Sequence, residues 1–539
     1  MKKNILYVIY LLSAFYINAQ VVVTSSNLPI VKINTNGGVI DLNNKIVADM
    51  LVFDSGKAEN KVTDIPSYKG KIGIELRGSS SLEISPRKPY SIETRASDGI
   101  TNKNIDFLGL KKENDWAFVA PYSDKTLIRD AFLYTLAQKI MPWAPHFRFA
   151  EVIVNDKYEG IYMLAEKIKR GANRVNIDKM ETIDIAGDEL TGGYIFALDK
   201  IKNGDKYFYS KYNFPTQQRL PEYIITSPKA DNIQPAQLIY ITQWMNNFET
   251  VMNSSKFNDP KEGYPKYINE QSFVDYVLLN ELSKNIDAYR LSTYFYKDKN
   301  SKDSLLHAGP MWDYNIAFGN VDYCNCYSPE GWAVDFNKQC PNDYWTIHFW
   351  WSKLFNDARF RSLLKKRWQE LRKNEWTDTK LKGIIDSLQM TIGDAQKHHF
   401  ARYDILNKIV WPNPGVHSTY GGEVDYLKNW LTKRTAWIDG TLGKALDIEH
   451  IPENENIFVY PNPSHDKIIF ELKSKSTYSI FDLKIYNSQG QFIENVAYVI
   501  ASPWADQISI DVSNYPNGIY FYKILENKIN STSGRFVKN

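Results

Sequence analysis

Gly309-Pro310-Met311-Trp312-Asp313-Tyr314-Asn315-Ile316-Ala317-Phe318-Gly319-Asn320 is the stretch whose reading decides the fold. Upstream of it, the apolar spacing over 273–282 predicts a helix that ends in Lys284-Asn285-Ile286-Asp287, and 293–297 predicts a short strand. One aspartate thus follows a helix, a second follows a β segment, and Gly319 lies six residues beyond the second. Phosphoryl transfer uses such a pair. One carboxylate orients or deprotonates the acceptor hydroxyl, and the other holds a divalent cation that bridges the phosphates. The spacing alone is weak, because most aspartates cap helices or turns.

Working outward, the upstream half has the order a nucleotide-binding lobe needs. Arg77-Gly78-Ser79-Ser80-Ser81 is a candidate loop over phosphates, without the Gly-x-Gly-x-x-Gly pattern and unlike Walker A. Arg87 and Lys88 precede an alternating strand that starts at Tyr90. A helix over 126–140, with Asp124 as its cap, and a hairpin over 149–165 follow, then Glu166-Lys167 where a hinge would stand. Beyond 234, helices are expected over 235–252, 272–282, 357–372, 379–397 and 422–442. In a kinase-type catalytic loop an amide sits five residues after the first aspartate; here Ser292 stands there, a poorer metal ligand.

Composition bounds the rest. The chain has 539 residues, enough for several domains at roughly 100–200 residues each. Its 65 basic and 62 acidic residues leave a net charge of +3, which speaks against a nucleic-acid binder. Lys2 and Lys3 followed by an apolar run from Ile5 to Phe15 and Ala19 read as a signal peptide over 1–19, and no later run is long enough to span a membrane. Export makes a disulfide plausible, from Cys340 to either Cys324 or Cys326, leaving one thiol. Arg129 could hold a phosphate or pair with Asp115 or Asp124, and the ion pair is favoured. Trp312, Phe318, Trp350, Trp351 and Trp368 read as core, and His398-His399 as a solvated helix face rather than a metal tract.

After the linker at 451–456, about seven short strands with turns at Asn487-Ser488-Gln489-Gly490 and Asn517-Gly518 predict a small β-sandwich over 457–539. Val459-Tyr460-Pro461-Asn462-Pro463, Ile485-Tyr486-Asn487-Ser488-Gln489-Gly490, Asn517-Gly518-Ile519-Tyr520-Phe521 and the closing Gly534-Arg535-Phe536-Val537-Lys538-Asn539 resemble the type A C-terminal sorting domain of the type IX secretion system. The resemblance implies handling by that machinery and delivery to the medium or the outer-membrane surface of a Bacteroidetes-like bacterium.

The body, expected as one domain over 20–450, resembles the CotH kinase family of atypical protein-kinase-like proteins over about residues 60–440. The match runs through Ile74-Glu75-Leu76-Arg77-Gly78-Ser79-Ser80, Arg87-Lys88-Pro89-Tyr90-Ser91, Asn114-Asp115-Trp116, Ala120-Pro121-Tyr122-Ser123-Asp124-Lys125-Thr126-Leu127-Ile128-Arg129-Asp130, Tyr158-Glu159-Gly160-Ile161-Tyr162, Glu166-Lys167-Ile168, Asp287 and Trp312-Asp313. It implies an α+β chain: a two-lobed protein-kinase-like domain, β-rich first and helical later, ahead of the all-β sandwich. It also implies an ATP- and Mg²⁺- (or Mn²⁺-) dependent transfer to Ser or Thr hydroxyls of an unidentified protein acceptor. Asp287 corresponds to the catalytic-loop aspartate and Asp313 to the metal ligand. Lys88, Arg77, Ser79 and Glu166 fall on the nucleotide side. Asn315 replaces the second metal aspartate of many members and, with Ser292, completes the expected metal set. A catalytically silent surface or adhesion protein on the same scaffold is the alternative, and transfer of another part of the nucleotide is a third reading.

Overall fold

The computed structural model describes residues 20–445, 457–472, 479–500, 506–526 and 530–539. The expected leader at 1–19 and linker at 451–456 lie outside them. The chain divides into two compact units, 1–440 and 441–539.

The first unit opens with a closed seven-stranded barrel. Its strands are β1 (Ile30–Asn34), β2 (Ile46–Phe53), β3 (Tyr68–Leu76), β4 (Tyr90–Arg95), β5 (Asp115–Val119), β6 (Phe147–Val154) and β7 (Lys157–Glu166), in the order β6-β7-β5-β4-β3-β2-β1. β1 pairs parallel with β6 and closes the ring; every other pairing is antiparallel. Alternate residues point inward, so Val31, Ile33, Met50, Val52, Ile72, Ile74, Ile92, Trp116, Phe118 and Leu164 pack into one core. Each such side chain contributes roughly 1.5–3 kcal/mol on leaving water. β2 and β5 have no counterpart among the strands read from the sequence. β2 carries one polar residue, Asp49, which pairs with Lys71 of β3 and interrupts its apolar run.

A second sheet comprises β8 (Tyr194–Leu198), β9 (Tyr207–Tyr209), β10 (Glu222–Ser227), β11 (Thr293–Lys297) and β12 (Leu306–Ala308), ordered β9-β10-β8-β11-β12 and antiparallel throughout. Helix α1 (Arg129–Ile140) lies between β5 and β6 in the chain; α2 (Pro235–Asn253) and α3 (Glu270–Ser283) lie between β10 and β11. Then come α4 (Phe349–Phe355), α5 (Ala358–Lys373), α6 (Asp378–Ile392), α7 (Ala395–Arg402) and α8 (Tyr420–Ala445). Trp350 and Trp351, both 1% exposed, stack on each other and meet Phe273 and Phe295, so the aromatic run is core as expected. The helix expected over 379–397 is two helices, because Gly393 adopts φ +50 between them. α1 starts three residues later than expected: Leu127 has φ +63, and the Asp124 carboxylate reaches forward to accept the Arg129 N–H.

The second unit is the expected seven-stranded module. β13 (Ile457–Tyr460), β14 (Lys467–Leu472) and β17 (Asp506–Asp511) form one sheet. β15 (Ser479–Asn487), β16 (Phe492–Ile500), β18 (Gly518–Glu526) and β19 (Asn530–Lys538) form the other, ordered β16-β15-β18-β19. Ile468, Phe470, Leu483, Ile485, Ile508, Ile510, Ile524 and Phe536 fill the space between the sheets.

Candidate active site

The segment after α3 turns sharply. Lys284 ends the helix in the left-handed region, φ +42, and its ammonium donates to the carbonyls of Asn325, Ser328 and Glu330. The buried Arg434 guanidinium grips the Glu281 carbonyl through Nε (2.8 Å) and Nη2 (2.6 Å). With the helix end fixed twice, Asp287 comes out partly exposed. Its Oδ1 accepts from Arg290 Nη2 (2.8 Å), and Arg290 in turn donates to Asp343 (3.1 Å) and to the Trp345 carbonyl (2.8 Å). Cys324 bonds to Cys340, one of the two expected pairings, and closes the loop ahead of Asp343; Cys326 is a buried thiol.

Asp313 follows β12 and stands in the left-handed region, φ +67. Asn285 Nδ2 donates to the Asp313 carbonyl (3.1 Å), which joins the two aspartate loops. Asp313 is open to solvent, yet protein atoms crowd its carboxyl. That enclosure, with Asp287 and then Asp199 nearby, pushes it up to about 6, while Arg77 and Lys200 pull the other way. Asn315 Nδ2 donates to Asp313 Oδ1 (2.5 Å). Ser292, φ +46, gives its hydroxyl to Asp199 Oδ2 (3.3 Å) rather than to either predicted aspartate.

Asp199 is the acid that sequence reasoning missed. It follows β8, and burial raises its carboxyl above the ordinary range, with Asp287 adding to the push. Its local signal is thin, an aspartate directly after a short strand, and the groups that mark it, Ser292 and Asp287, come from about ninety residues away. Lys200 beside it donates to Ser80 Oγ (3.0 Å), tying the second sheet to the Gly-Ser loop.

On the barrel side, Arg77 leaves β3 and its guanidinium lies 5.0 Å over the Trp312 ring, so Trp312 is half-buried at the cleft and not core. Burial lowers the Arg77 pKa; Tyr294, Tyr134 and Asp313 oppose that shift. Ser79 is exposed, and its carbonyl accepts the Leu82 N–H. Two residues expected on the nucleotide side have protein partners of their own. Lys88 donates to the carbonyls of Leu82 (2.6 Å) and Ser85 (2.7 Å), so two of its three N–H groups staple the loop and one is left over. Glu166 is fully buried and saturated by Arg174 Nη1 (2.6 Å), His146 and Trp143 Nε1 (3.2 Å), so it braces the end of β7. The lysine whose charge reaches Arg77 is Lys167, next in sequence, which also meets Asp115 (3.5 Å) and Ser91 (3.3 Å).

Among the described residues no three His, Cys, Asp or Glu side chains converge as a ready-made metal cage. That donor set still fits Mg²⁺, which binds through one or two carboxylates and takes its remaining oxygens from water and phosphates.

The family model described as CotH kinase protein matches residues 74–438, and that described as secretion system C-terminal sorting domain matches 458–539. No curated protein matches. Dimeric latent PorU from Porphyromonas gingivalis is 18% identical with a TM-score of 0.14, over 15% of this chain and 9% of that one. A DUF3244 family protein from Bacteroides vulgatus, with an immunoglobulin-like β-sandwich fold, is 17% identical with a TM-score of 0.14, over 16% of this chain and 88% of that one.

Proposed function

The chain belongs to the CotH kinase protein family and ends in a sorting domain that marks it for export, and from that premise we propose that it is an exported phosphotransferase moving the γ-phosphoryl of ATP to a Ser or Thr hydroxyl of a protein. The barrel and the helical body are read as the two lobes of a kinase-like scaffold. The observation that carries the reading is that Asp313 and Asp287 lie close enough to repel each other, bridged by Asn285, with the Arg77 cation within electrostatic reach of Asp313.

Asp313, with the Asn315 amide oxygen, would hold Mg²⁺ or Mn²⁺. The cation, when bound, neutralises charge on the β- and γ-phosphates. Asp287, fixed by Arg290, orients the acceptor hydroxyl and takes its proton as that oxygen bonds to phosphorus and the bond to the ADP oxygen breaks. Arg77 and Lys167 offset phosphate charge from the barrel side. Ser292 serves as a brace for Asp199 and not as a ligand.

One contact favours a second reading, a catalytically silent surface protein. Asn315 donates to Asp313 Oδ1, which occupies an oxygen that a cation would use. Incubating the mature chain with γ-labelled ATP and Mg²⁺ or Mn²⁺ separates the readings, with autophosphorylation examined first. A phosphate mass shift lost in Asp287→Asn supports transfer. A nucleotide mass shift would support the third reading, and no shift with any acceptor would leave the silent scaffold.

A further inference from the structure

We infer that Asp130 is a positioning residue that fixes the backbone from which the Asp313 carboxylate projects; this rests on the reading of Asp313 as the cleft's cation-holding acid. Asp313 has φ +67, a conformation few side-chain-bearing residues adopt without support. Helix α1 supplies that support through two side chains one turn apart. Asp130 Oδ1 accepts the Tyr314 N–H (2.5 Å), and the Tyr134 hydroxyl accepts the Asp313 N–H (3.4 Å). Residues four apart share a helix face, so one face of α1 captures two successive amides of the turn.

The helix is a firm base for this. Its first turn is held by Asp124, which accepts the Arg129 N–H (2.9 Å) and pairs with Arg129 Nη1 (2.5 Å). Phe132 packs on Phe318 (5.2 Å between centroids), and Tyr134 stacks on Trp312 (6.0 Å), so the same helix grips the segment on both sides of Asp313. Asp130 is 3% exposed and belongs to the site although it touches neither solvent nor substrate. Sequence reading quoted it only as part of a matching run and gave it no role.

The test compares the full mature chain with Asp130→Ala, Asp130→Asn and Asp130→Leu by two readouts. These are hydrogen exchange of the peptide containing Asp313 and Tyr314, and Mn²⁺-ATP binding by titration calorimetry. Asn keeps an acceptor oxygen for the Tyr314 N–H; Ala and Leu do not, and Leu also preserves volume should the cavity left by Ala prevent folding. Loss of the acceptor is expected to speed exchange and weaken Mn²⁺-ATP binding by about tenfold, the worth of one buried hydrogen bond, with Asn close to the parent in both. Parent-like exchange and binding in Ala or Leu overturn the inference, as does an Asn variant no better than Leu. If the parent itself binds no Mn²⁺-ATP, the phosphotransferase reading falls, and the exchange readout alone decides the role of Asp130.

Discussion

On the proposed reading Asp313 and Asp287 would carry different tasks, and single-atom changes would separate them. Asp313→Asn removes the charge that would hold a cation from a solvent-open side chain that contributes little to the core. It is expected to abolish metal-dependent nucleotide binding and leave the thermal midpoint where it was; titration with Mn²⁺-ATP beside a melting curve checks both. Asp287→Asn keeps an oxygen for Arg290. Nucleotide binding should persist while turnover drops by roughly 10²–10⁴-fold, the usual worth of a positioned base. Equal loss of binding and turnover would mean that Asp287 only holds the loop. Both positions were legible in the sequence, because a helix-then-Asp and a strand-then-Asp signature are local. Asp199 and Asp130 were not, since each acts through partners more than ninety residues away.

Helix α7 corrects one expectation at the scale of elements. His398 and His399 were read as a solvated face, but His399 is 1% exposed against Gly160 of β7, and His398 pairs with the buried Glu151 (2.9 Å). The tandem looked solvated because helix periodicity says nothing about a barrel packed against the helix. His399 Nδ1 accepts the Ile161 N–H (3.3 Å), and burial, with Arg87 nearby, holds its pKa well below the ordinary 6.5. The native state therefore keeps it neutral while the unfolded chain takes up a proton below 6.5, so its stabilisation is present above that pH and lost as pH falls. The loss approaches about 1.4 kcal/mol per pH unit. Urea unfolding at pH 5 and pH 7 should show a smaller difference in His399→Gln, which retains an acceptor, than in the parent; equal differences would refute it. Helix α1 makes a stronger case. Asp124→Ala leaves the buried Arg129 without its carboxylate, and a cost of about 3–5 kcal/mol is expected. A midpoint within experimental error of the parent would contradict that.

For the whole molecule, the two compact units each own a core, one in the barrel and helical body, the other between the sandwich sheets. Residues 20–450 expressed alone should fold and retain whatever nucleotide activity the full chain has. In the native host the same truncation should strand the protein in the periplasm, because the sorting domain is gone. Fractionation of both forms side by side tests this. Surface or medium levels equal to the parent's would deny the sandwich its sorting role.

The sequence by itself determined what short-range chemistry can encode. Alternation and turn residues gave all seven sandwich strands, caps and apolar spacing gave most helices, and local signatures gave the family and two candidate acids. Tertiary structure alone decided which side chains are free to act. Lys88 and Lys167 both lie beside β strands, yet the first donates to two loop carbonyls and the second to Ser91 and toward the Asp115 carboxylate. Glu166 looked available until Arg174, His146 and Trp143 were seen to saturate it. A side chain's availability depends on the hydrogen-bond partners that folding brings to it from distant parts of the chain, and no local pattern records those partners.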